Sequence, residues 1–217
     1  MKFIPILYST PMVQSILTDL KSQTRRTQGL EEINKNPDQW VFDRREGDQF
    51  IFQNINKKSD QYFLFPKAVE KEIFWVRETW QESECFDYHI KNEFVYRANK
   101  AHAEFANEHN VRWNPSIFMP KEACRLFLEV TNVRVERLKD ISSEDAIAEG
   151  ISHTTRYKGV AADNYMNYLA NRYEFTGPGL SFYSLWESIN GRASLQLNPW
   201  VWVYTFKRIE KPETFNQ

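Results

Sequence analysis

The chain has 217 residues, 41% of them apolar and 15% aromatic, with a formal net charge of −1 and two cysteines. That length and apolar content support one substantial domain with a packed core and argue against global disorder, while the near-zero charge argues against a large nonspecific nucleic-acid binder, so any nucleic-acid contact must come from a local patch. Cys85 and Cys124 lack paired spacing, which argues against a zinc ribbon or disulfide scaffold and fits a reducing cytoplasm. The apolar start of the chain is interrupted by Pro5 and too short for a signal peptide, and no stretch reaches the length of a membrane span.

Along the chain, residues 3–8 read as a short strand. Thr10 is placed as an N-cap and Pro11 at the first helical position, where its missing N–H costs nothing. Val13, Ile16, Leu17 and Leu20 follow at helical spacing, which predicts one buried face and a helix end near Lys21. Within 29–70, Asn34, Asn36 and Pro37 break the pattern, whereas 49–53 and 62–65 flank a turn-like 54–60 and predict a hairpin. Residues 73–78 form a further strand that Thr79 and Trp80 leave. The stretch 81–112 is polar and mixed, partly helical from 99 to 108, and 113–120 is a loop stiffened by Pro115 and Pro120.

The strongest strand is 126–131, with Leu126, Leu128 and Val130 on one face and Phe127, Glu129 and Thr131 on the other, extended by Val133 and Val135. Ser142 and Asp145 match a capping box in acidic form, opening a helix that runs to Gly150. Residues 152–178 are polar and aromatic, end in Gly177-Pro-Gly179, and read as a mobile insertion. Phe182, Leu185, Trp186 and Ile189 make a second helical face, stopped at Asn190-Gly191, and 200–206 alternates as a closing strand. The expected class is α+β: a small twisted sheet or barrel with flanking helices, forming one domain over 1–217 with insertions at 29–70 and 152–178.

The most chemically loaded stretch is Lys21-Ser-Gln-Thr-Arg-Arg26, a lysine, a threonine hydroxyl and two guanidiniums within six residues. A lysine and a threonine three apart can converge on one small polar substrate, and adjacent arginines can hold a phosphate or a base edge. The ordinary alternative is a lysine facing the negative end of its own helix dipole beside two solvated arginines. Local sequence leaves both open.

Four blocks together resemble an ASCH-domain protein of the PUA-like superfamily, in the longer form found in phages and prophages. They are Ser9-Thr-Pro-Met-Val13 with the Lys21 stretch; Trp75-Val-Arg-Glu-Thr-Trp80; 113–120 running into 128–131 and 133–138; and Leu185-Trp-Glu-Ser-Ile-Asn190 with Asn198-Pro-Trp-Val-Trp-Val203. Glu70, Lys71 and Glu72 stand where the family has a Pro-Gly-Asp turn, and 29–69 is longer and more polar than the family pattern. The resemblance implies a PUA-like barrel, a nucleoside or RNA ligand, and a cytoplasmic setting in a bacterial or phage-infected cell; the four histidines lack metal-site spacing and the seven glycines form no phosphate-cradling loop, so no metal or cofactor is expected. A small member of the superfamily is an acetylcytidine amidohydrolase whose catalytic Lys, Thr three residues later and Glu correspond to Lys21, Thr24 and Glu149. Gln23, Arg25, Arg26, Arg77, Trp80 and Trp113 are then the candidates for holding a base or nucleic acid, since unstacked bases lie on aromatic rings and guanidinium planes.

Amide hydrolysis needs a nucleophile, a proton acceptor and an oxyanion partner. Thr24 supplies a hydroxyl; either Lys21 acts as base, once burial or neighbouring cations lower its pKa, or Glu149 does and Lys21 stays charged. Glu149 near a helix C-terminus is mildly misplaced by the dipole, which points to a role. His102-Ala-Glu104 resembles the His-x-Glu of zinc deaminases but lacks the paired cysteines downstream. Three functions stay in competition: an amidohydrolase on N-acylated cytidine nucleosides, a non-catalytic RNA-binding module, and a metal-independent ribonuclease.

Overall fold

A computed structural model describes residues 2–85, 94–157 and 160–216. In chain order its elements are β1 (Phe3–Leu7), α1 (Thr10–Leu17), β2 (Gln23–Arg26), α2 (Glu31–Asn34), β3 (Trp40–Glu46), β4 (Gln49–Asn54), β5 (Gln61–Leu64), β6 (Ile73–Arg77), β7 (Trp80–Glu82), β8 (Phe94–Tyr96), α3 (Lys100–Glu108), β9 (Phe127–Arg137), α4 (Ser143–Ala148), β10 (His153–Tyr157), β11 (Val160–Asn167), β12 (Arg172–Phe175), α5 (Pro178–Asn190), α6 (Arg192–Leu197) and β13 (Trp200–Ile209). The class is mixed α+β, as expected, but the described strands form several open sheets and none is closed into a barrel. The chain groups into two compact units, one of residues 1–19, 70–130 and 206–217, the other of 20–69 and 131–205. Strands β9 and β13 contribute residues to both.

In the first unit β1 runs parallel to β6, and β6 pairs antiparallel with the start of β9, setting Phe74 opposite Leu128. Helix α1 starts one residue earlier than expected, with Ser9 rather than Thr10 as N-cap. It buries Val13 and Ile16, as their spacing predicts, but stops at Leu17: Asp19 turns left-handed (φ 57°), and Arg208 donates to the Leu17 carbonyl at 3.2 Å. Trp80 does not simply leave β6; it opens β7, which pairs with β8. Part of the polar stretch expected at 81–112, residues 86–93, lies outside the described residues. The helical portion is α3, whose N-cap Asn99 accepts from the Ala101 N–H. Phe215 closes this core, edge-on to Phe127 (4.7 Å) and Phe3 (5.1 Å). Removing a ring so buried costs about 3–5 kcal/mol.

In the second unit the predicted hairpin is present as β4 and β5, and β3 joins it through the Gly47-Asp48 turn to make a three-stranded antiparallel sheet. Gly47 adopts φ 58°, which a glycine reaches without strain. The segment 152–178, read as a mobile insertion, instead supplies a second antiparallel sheet, β10–β11–β12. Leu138, Ile141, Ala146, Phe182, Trp186, Val201 and Val203 form one core of the unit. Ile189, expected on the buried face of α5, is exposed, as is Leu20. On β13 the expected alternation gives way to burial on both faces, and Trp200 and Trp202 meet Phe52 and Phe50 edge-on at 5.1 and 4.8 Å.

Candidate functional site

The Lys21 stretch lies on an edge strand rather than in the last turn of a helix. Residues 23–26 form β2, paired antiparallel with β13 so that Arg26 faces Trp202 and Thr24 faces Tyr204. Just before it, Lys21 makes an isolated antiparallel bridge to Glu149, and the Ser22 N–H donates to the Ala148 carbonyl at 2.9 Å. This stitches the strand to the C-terminal end of α4. The predicted capping box fixes the other end of that helix: the Ser142 hydroxyl accepts from the Asp145 N–H at 3.1 Å.

Glu149 is the C-cap of α4. The Lys21 ammonium donates at 2.7 Å to its carbonyl and at 2.7 Å to its Oε2. Lys21 therefore does face a helix dipole, but that of a helix 128 residues away in sequence, and its charge relieves the misfit of a glutamate at a helix C-terminus. The Lys21 side chain is 0% and that of Glu149 5% exposed. Burial pushes the lysine pKa below its ordinary value; Glu149 works in the opposite direction, and Arg26 and Arg25 add to the lowering.

Arg25 is the hub of the surrounding network. It donates to Glu149 Oε1 at 3.0 Å, to Glu136 Oε1 through Nε at 2.9 Å and Nη2 at 2.6 Å, and to Asp145 Oδ2 at 3.1 Å. Burial weakens its hold on the proton, but Glu149 and Glu136 outweigh that and raise its pKa. Arg134 adds a bond to Asp145 and one of 3.3 Å to Glu136, and Gln23 Nε2 donates to Asp145 Oδ1 at 2.8 Å. Three cations and three carboxylates thus balance: Lys21, Arg25 and Arg134 against Glu136, Asp145 and Glu149. Sequence reasoning missed Glu136, Asp145 and Arg134 as members. The capping box located Asp145 but assigned it only to the helix start.

Of the three expected catalytic residues, Lys21 and Glu149 are brought into contact. Thr24 is buried in the same strand, but side chains alternate along β2, so it projects to the face opposite Gln23 and Arg25. Arg25, expected to hold a base, has its guanidinium committed to carboxylates. Gln23 retains a buried Oε1 with no hydrogen-bond partner among the described residues.

Arg77, Trp80 and Trp113 belong to the first unit. Arg77 donates to the Ile117 carbonyl and lies 5.5 Å over Trp75. Trp80 is 7% exposed and edge-on to Phe94 at 5.6 Å, a core residue rather than an open stacking surface. Trp113 is half-buried against Val95 and Ala106. That unit has its own buried ion pair, Glu78 with Arg125, two bonds of 2.9 Å beneath a guanidinium 3.9 Å from the Tyr96 ring centre.

Among the described residues, no group of three or more His, Cys, Asp and Glu side chains is arranged to hold a metal ion. The His102 ring accepts from the Tyr96 N–H. No helix among them is long and apolar enough to cross a membrane. No family model, curated protein or solved structure matches the chain.

Proposed function

We propose that the chain is an ASCH-like, PUA-related domain that binds nucleobase-bearing ligands and acts as an amidohydrolase on N-acylated cytidine nucleosides. The observation that carries this reading is the buried Lys21–Glu149 contact at 2.7 Å, which joins two of the three residues implied by the resemblance across 128 positions of sequence. A buried lysine with a lowered pKa beside a carboxylate is a proton-transfer pair. In the neutral-lysine form it accepts a proton from the attacking hydroxyl; in the charged form it stabilises the oxyanion while Glu149 carries the proton.

One observation favours a binding-only reading, in which RNA or a nucleoside is held without turnover. Thr24 projects away from the face that carries Gln23 and Arg25, so the nucleophile is not aligned with the network around Glu149. The two readings separate in one experiment: chromatographic hydrolysis of a panel of N-acylated cytidines by the wild type, Thr24→Val and Lys21→Met. Turnover by the wild type and its loss, with retained fold, in both variants is the expected result. A folded wild type without turnover overturns the amidohydrolase reading and leaves binding. Turnover surviving in Thr24→Val removes Thr24 as nucleophile.

A further inference from the structure

The β3–β4–β5 sheet of the second unit has two edges, and they are built differently. Strand β3 carries Asp43, Arg44, Arg45 and Glu46, and its register shifts between Phe42 and Arg44. Charges and bulges keep an edge strand from pairing with another chain. Strand β5 has neither: Gln61-Tyr-Phe-Leu64 is uncharged and pairs with β4 without a break.

Flanking hydrogen bonds fix which way the backbone groups of β5 point. The Asn54 N–H donates to the Asp60 carbonyl at 3.0 Å, so in this register Phe52–Tyr62 and Phe50–Leu64 are the hydrogen-bonded pairs of β4 and β5. On the far side of β4 the Ile55 N–H donates to the Gln39 carbonyl at 2.8 Å, which turns Gln53 toward Val41 of β3. The N–H and C=O of Gln61 and Phe63 therefore point away from β4, and no strand lies beyond β5 among the described residues. Both residues are exposed, Phe63 by 50%. At Phe65 the edge is occupied, since a Cβ on Gly29 would stand 3.7 Å from the Phe65 carbonyl oxygen.

A row of outward N–H and C=O groups on an uncharged strand is complemented by another extended strand. We propose that β5 pairs antiparallel with β5 of a second copy of this chain about a two-fold axis at Tyr62, Gln61 of each copy bonding to Phe63 of the other. This register uses both open residues and leaves the bonding groups of Phe65 out. Gln61 to Pro66 carries no charge, and Asp60 falls opposite Leu64 of the second copy, so the self-pairing sets no like charges against each other. The contact is far smaller than the ~20–30 residues a side of a standard interface, so the dimer is weak and depends on concentration.

Sedimentation velocity of the full chain from about 1 to about 200 μM tests the pairing, with near-UV circular dichroism reporting the fold of each variant. The wild type is expected to pass from monomer to dimer across that range. Gln61→Lys with Phe63→Lys sets lysines of the two copies directly opposite one another and is expected to leave a folded monomer. Gln61→Glu with Phe63→Lys sets opposite charges across the same pairs and is expected to restore the dimer. A wild type that stays monomeric overturns the proposal, whether its edge is then bare or takes the strand of a different protein. A dimer that survives in the folded double-lysine variant, or a charge-swapped variant that stays monomeric, overturns the pairing as well.

Discussion

Each unit buries an ion pair around a glutamate, and the two pairs are built differently. Glu78 is matched to one guanidinium through two parallel bonds, and Arg125 keeps partial contact with solvent while lying on the Tyr96 ring. Glu149 is divided between two buried cations, and one of them, Arg25, is divided again among three carboxylates. The closed one-to-one pair joins the segment after β6 to the segment before β9. The shared network contains a lysine whose burial lowers its pKa, which is what the proposed proton transfer requires.

The largest expected effect separates the two pairs directly. Glu149→Gln strands Lys21 and Arg25 without their shared counter-charge and is expected to cost about 3–5 kcal/mol in urea unfolding, together with loss of hydrolysis. Glu78→Gln strands one partly solvated arginine and is expected to cost about 2–3 kcal/mol with hydrolysis retained in the folded fraction. Equal loss of turnover in the two variants would erase the functional distinction.

Alkaline pH gives the next contrast, and the signs are opposite. Burial raises the Cys124 thiol from 9.0 to about 11 and the Tyr96 phenol from 10.0 to about 12. Between those values the unfolded chain has released protons that the folded chain keeps, so stability falls as pH rises. Cys124 alone accounts for a loss on the order of 2 kcal/mol. Lys21 acts the other way. Its folded pKa lies below 10.5, so between the two values the unfolded chain holds a proton that the folded chain has released, and stability rises with pH. Unfolding midpoints between pH 8 and 11 are therefore expected to fall less steeply in Cys124→Ala and more steeply in Lys21→Met. The opposite change in Lys21→Met would mean that Glu149, not burial, governs the lysine.

The smallest effect tests the frame beneath the network. Ser142→Ala removes the cap of α4 and is expected to cost about 1 kcal/mol, with a modest loss of turnover as Asp145 and Glu149 loosen. An unchanged midpoint would show that the ion network, rather than the cap, sets the helix.

What could be read from the sequence was local. The spacing of Val13 and Ile16 marked α1, Ser142 and Asp145 marked the start of α4, Gly191 marked the end of α5, and the apolar runs marked β6, β9 and β13. Each signal is written within one element, where a side-chain period or a cap repeats over a few residues. Strands β3, β7 and β10–β12 were not legible, because a short polar strand is defined by the neighbour it pairs with rather than by its own composition. The same holds at the candidate site. Sequence singled out Lys21 and Glu149 by type and by resemblance, but Glu136, Asp145 and Arg134 carry no mark of their own. Only the tertiary structure, by laying β2 along β13 and against the end of α4, turned a basic hexapeptide into a buried lysine–carboxylate pair, because charge pairing depends on distance in space and not on separation along the chain.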